Sequence, residues 1–215
     1  MDTKHKYGVF IVESLTLDDE KNGLLDGQIL RDILDLCQIP NEYYYIRTSH
    51  ELQEIINEFD KSEFRYLHLS CHADKTQIAF TFEELFFYEV AELIKSKLKN
   101  KRVFISACEA CNFEFAKTLI PSSGCYSLIG SPTKINFDKS AVFWSGFYHL
   151  MNETNNIRMG QPEIRTVLQK LVDTYDIPIN YYSFISNNNS ELKENLLRPN
   201  IEIKSTKKTV FDNEA

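Results

Sequence analysis

The chain has 215 residues, 43% of them hydrophobic and 13% aromatic, enough to bury a core of its own and to exclude disorder over most of its length. A formal charge of −7 without a dense Lys/Arg run leaves no electrostatic footprint for nucleic acid or for an anionic membrane surface. The polar start at Met1 to Lys6, and the lack of any apolar run near the roughly 18 residues a membrane span needs, argue against a signal peptide or membrane helix and for a cytoplasmic protein.

In chain order, Tyr7 to Glu13 reads as a first buried strand. Leu17 to Asn22 is expected to be a polar loop, and a helix follows from about Gly27 to Cys37, with Leu25, Ile29, Ile33, Leu34 and Leu36 at helical spacing. Glu42 to Arg47 is a β-prone aromatic run, and a helix opens near Ser49 with Leu52, Ile55, Ile56 and Phe59 on its inner face. Strand three spans Arg65 to Cys71. Thr76 to Phe82 alternates as a short hairpin would, and Phe82 to Leu98 reads as a helix. Val103 to Ala107 is strand four, Phe113 to Ile120 a helix stopped by Pro121, and Cys125 to Gly130 strand five. A polar loop from Ser131 to Lys139 leads to a helix through Trp144 and Met151, another spans Gln161 to Tyr175, and Asn180 to Ile185 is strand six. The alternation predicts one α/β domain over residues 1–187, with a mostly parallel six-stranded sheet and helices on both faces; 188–215 is expected to be a loosely held tail.

Two of these strands end on reactive side chains. At the carboxyl edge of a parallel sheet, neighbouring strands open into a shared crevice, so His72 and Cys108 can meet there as base and thiol nucleophile. The backbone N–H groups of Ala73 and Cys108 are candidates for an oxyanion hole. His68, Cys71 and Cys111 read as packing groups. Five cysteines, an odd number set within apolar segments, suit reduced thiols, and Cys108-x-x-Cys111 leaves a weaker redox or metal alternative.

The ordered segments Leu69-Ser70-Cys71-His72-Ala73, Ser106-Ala107-Cys108-Glu109, Asp138-Lys139-Ser140-Ala141, Phe147-Tyr148-His149-Leu150, Gly160-Gln161-Pro162 and Tyr181-Tyr182-Ser183-Phe184 resemble the CHAT family of caspase-like cysteine peptidases. The resemblance implies a caspase-like three-layer sandwich and a cytoplasmic endopeptidase that cuts a protein substrate through a thioester on Cys108, with His72 as general base and acid. It implies no metal or cofactor, and it suggests a regulatory protein partner of the kind found in bacterial defence systems. Asp138 stands where a relative with basic preference places its pocket acid, and equally where a helix cap would be. The family's glycine after the histidine is Ala73 here, which would be strained if that turn required positive φ. The alternative function is a catalytically silent domain used for interaction or assembly.

Overall fold

The computed structural model describes residues 8–154, 159–185 and 188–200; Tyr7, Asn187 and 201–215, on which some sequence expectations fall, lie outside them. The elements in order are β1 (Val9–Ser14), α1 (Leu17–Asn22), α2 (Asp26–Leu36), β2 (Asn41–Tyr45), α3 (Ser49–Lys61), β3 (Tyr66–Ala73), β4 (Gln77–Ala79) and β5 (Glu84–Phe86). They continue as α4 (Phe87–Leu93), β6 (Arg102–Ser106), α5 (Phe113–Ser123), β7 (Ser127–Gly130), α6 (Phe137–Glu153), α7 (Gln161–Tyr175), β8 (Ile179–Ile185) and β9 (Asn188–Leu197).

One sheet runs in the order β2-β1-β3-β6-β7-β8-β9, parallel through β7 and antiparallel at β8 and β9. The hairpin β4-β5 extends from the end of β3, where His72 and Ala73 pair with Ala79 and Ile78. Successive side chains alternate between faces, which explains why the central strands are apolar throughout. Phe10 and Val12 of β1, Leu67 and Leu69 of β3, and Val103 and Ile105 of β6 enter a core with α3, α4 and α5. Val9, Ile11, Tyr66 and Phe104 enter the opposite core with α2, α6 and α7. His68 is a satisfied core residue on that second face, its Nδ1 3.2 Å from the Tyr148 hydroxyl, and desolvation holds its pKa down to about 3, so it is neutral.

The sheet is larger than six strands. Its additional members are local pairings with weak sequence patterns: the three-residue strands of the hairpin, and β9, which occupies the start of the expected tail. β9 is polar in composition because it closes the open edge of β8 and is not buried between layers. Beyond it, Arg198 donates to the Ile179 carbonyl and Asn200 to Asp173. Leu17–Asn22 is a helix and not a loop, because Thr16 and Asp19 form a reciprocal capping box. The expected long helix from Phe82 is replaced by β5 and a seven-residue α4, since hairpin pairing claims Glu84–Phe86. Helix α5 runs through Pro121 to Ser123, and the left-handed Gly124 ends it.

Gly130 closes β7 where the chains crowd together. A Cβ there would stand 2.5 Å from the Ile105 carbonyl oxygen and 3.1 Å from the Cys111 Cβ, so Gly130→Ala is expected to destabilise the fold by about 1–3 kcal/mol, read as a lower urea midpoint with unchanged slope.

Candidate active site

By the two-residue period, Glu13, Ser70 and Ser106 at the carboxyl ends of β1, β3 and β6 point toward the α2/α6 face, as do His68 and Phe104 behind them. The N-terminus of α2 brings Asp26 to the same place. Its carboxylate accepts hydrogen bonds from the hydroxyls of Ser70 and Ser106, the latter at 2.7 Å, and Ser106 is also hydrogen-bonded to Ser140 of α6. Glu13 accepts from the Gly27 N–H at 2.7 Å, the Gln28 N–H at 3.2 Å and the Tyr43 hydroxyl at 2.7 Å. Gly27 permits this approach, since a Cβ there would lie 3.0 Å from the Glu13 carboxyl carbon. Both acids are buried, and burial together with the neighbouring Asp26 charge pushes the Glu13 pKa up to about 7.

Above this acidic floor, Asp26, Cys71, His72, Ser106, Ala107, Cys108, Ile135, Phe137 and Ser140 line one cleft, so the sequence-predicted His72 and Cys108 do come together. His72 packs edge-on against Phe137 with ring centroids 5.5 Å apart, and its Nε2 lies 2.7 Å from Asp19 Oδ2. The Cys108 sulfur is within 3.5 Å of the Ile135 N–H and 3.6 Å of the Ile135 carbonyl oxygen. Among the described residues no hydrogen bond joins Cys108 to His72; the Ile135 backbone in the loop before α6 holds the sulfur. Cys71, at the same cleft, has its thiol raised well above the ordinary range by burial, with Asp26 and Cys108 adding to the effect, and so remains protonated.

Ala73 is extended within β3, and its position carries no positive φ. Asp74 N–H donates to the Gln77 carbonyl one step further along the hairpin. Because bonds alternate along an antiparallel ladder, the Ala73 N–H turns away from β4 and toward the side of β6, where Cys108 lies. The left-handed residue is Glu109 instead, with φ of 56° directly after Cys108. Its N–H donates to the Thr133 carbonyl, its own carbonyl accepts from Asn112, and Lys75 faces its carboxylate at 3.6 Å.

Asp138 is exposed in the first turn of α6, where its charge suits the helix dipole, and it does not line the cleft. The carboxylates that do reach the cleft or its floor are Asp26 and Glu13, and the carboxylate on His72 is Asp19; sequence reasoning missed all three. The Thr16-x-x-Asp19 spacing was a readable capping-box signal, but nothing in the sequence indicated that Asp19 also meets His72. Cys111 is buried and donates to the Asn180 carbonyl, apart from the cleft. The chain matches no protein-family model and has no significant match among curated proteins. Fold and site therefore define an α/β protein with a mostly parallel mixed sheet and a thiol–imidazole cleft at its carboxyl edge.

A carboxyl raised in the fold holds a proton that the unfolded chain releases near its ordinary value of 4.5. The stability that protonated Glu13 contributes is thus present below pH 4.5 and is lost as pH rises through about 7. Glu13→Gln keeps the shape and removes this titration, so unfolding curves at pH 5 to 8 should show wild type falling relative to the variant by up to about 3 kcal/mol. Parallel curves would show that Glu13 titrates normally.

Proposed function

We propose that this protein is a caspase-like cysteine endopeptidase that cuts a protein substrate on the carboxyl side of a basic residue. The observation that carries this reading is that His72 and Cys108 leave neighbouring strands into one cleft lined by Asp26. The partners of Asp26 and Glu13 are hydroxyls, backbone N–H groups and each other, so the floor has a negative site that no protein cation satisfies by hydrogen bonding or ion pairing among the described residues.

In the proposed reaction, His72 takes the Cys108 proton and the sulfur attacks the scissile carbonyl carbon. The carbonyl oxygen becomes an oxyanion facing the Ala73 and Cys108 N–H groups. Collapse breaks the C–N bond, His72 returns the proton to the departing amine, and a thioester remains. Water, deprotonated by His72, then hydrolyses the thioester and restores the thiol. A guanidinium or ammonium from the residue before the cut bond would displace hydroxyl contacts at Asp26 and pair with its carboxylate.

Fluorogenic peptides differing only at that residue test the reading. Arg and Lys substrates should be cleaved and Cys108→Ala should abolish cleavage. Asp26→Asn should reduce the Arg rate roughly 10²-fold, the scale of losing one partner of a buried charge pair, while norleucine peptides change little. A flat preference would remove the pocket assignment.

The hold of Ile135 on the sulfur favours a second reading, a silent interaction domain. Iodoacetamide labelling at pH 7 decides between them: His72→Ala should slow labelling of Cys108 at least about tenfold in a peptidase and leave it unchanged in a silent domain.

A further inference from the structure

We infer that Asp19 is the positioning residue for His72, fixing the imidazole with its proton on Nε2 so that Nδ1 is the nitrogen that serves Cys108. The inference rests on the peptidase reading and extends it to a third side chain.

The geometry is specific. Asp19 Oδ2 lies 2.7 Å from His72 Nε2, and the same oxygen accepts from the Thr16 N–H at 3.2 Å and from the Thr16 hydroxyl. The capping box therefore orients the carboxylate before the histidine meets it. Phe137 packs edge-on to the imidazole and restricts its rotation. A ring that donates from Nε2 has only Nδ1 left as a base, and a carboxylate at Nε2 also stabilises the imidazolium formed when Cys108 is deprotonated. Partial burial alone would raise the Asp19 carboxyl, but the hydrogen bonds from Thr16 and His72 outweigh it and keep the group ionised.

The placement of Asp19 depends on a helix held by its rim. α1 buries none of its residues. Glu20 ties it to the end of β2 through the Tyr45 hydroxyl at 2.8 Å and to the segment after β2 through Arg47 at 2.7 Å, and Thr81 of the hairpin loop donates to the Leu15 carbonyl just before it. The other ionisable groups in the cleft or its floor are Cys108, Cys71, Asp26 and Glu13, the last with its pKa raised to about 7, and the Lys75–Glu109 pair follows Cys108 in the chain.

The test is the pH profile of Cys108 alkylation by iodoacetamide, in which the thiolate sulfur displaces iodide, followed by mass spectrometry of the labelled peptide. Asp19→Asn should slow labelling roughly 10²-fold at pH 6 to 7 and shift the profile to higher pH, with the wild-type rate regained where the thiol ionises unaided. Misfolding would instead alter the rate at every pH. Asp18→Asn, which removes an equal charge from an exposed position on the same helix, should leave the profile in place. In the wild type, ¹⁵N shifts of the neutral His72 ring should show a protonated Nε2. An Asp19→Asn profile superimposable on wild type, where His72→Ala does shift it, would overturn the role of Asp19 and leave the peptidase reading intact. If His72→Ala shifts nothing, the peptidase reading itself fails.

Discussion

Two carboxyls buried side by side at the end of a parallel sheet cannot both be ionised without a large cost, and Glu13 and Asp26 are held in that arrangement. The structure reduces the cost with hydroxyls from Ser70 and Ser106, two N–H groups from the first turn of α2, and the Tyr43 phenol. The donors come from β2, β3, β6 and α2 and the two carboxyls from β1 and α2, so these five elements meet at one point. A pair of this kind without a cation is costly for stability.

The same sheet edge accounts for the reactive pair. Strands β3 and β6 are adjacent and in register through Ser70 and Ser106, so the residues two further on, His72 and Cys108, leave on the same side. Each then meets a segment outside the sheet that holds it. The segment before α6 holds the sulfur through the Ile135 backbone, while α1 holds the imidazole through Asp19. The two groups line one cleft yet are tied to separate elements, the thiol to the Ile135 backbone and the imidazole to Asp19.

α1 connects the acidic floor to the imidazole. It follows directly from β1, whose Glu13 lies in the acidic floor, and it carries the carboxylate that faces His72. Its contacts are polar and exposed at the rim, so they are weaker individually than core packing and sensitive to whatever binds there.

The continuous apolar runs of β1, β3, β6 and β7 are legible in the chain because these strands are buried on both faces, and the apolar stripes of α2, α3, α6 and α7 are legible at helical spacing because each helix buries one face. His72 and Cys108 could be placed together once the strands were known to be parallel. The hairpin and β9 were not legible, since short or edge strands carry little hydrophobic signal. Asp19 and Asp26 could not be distinguished from ordinary surface acids, and Glu13, at the end of an expected buried strand, carried no sign of its partners. Sequence by itself determined the layers and the two residues at their edge, because burial is written into local periodicity. Only the tertiary structure decided which carboxylates surround them, because a contact such as Asp19 to His72, 53 positions apart, leaves no periodic trace in either segment.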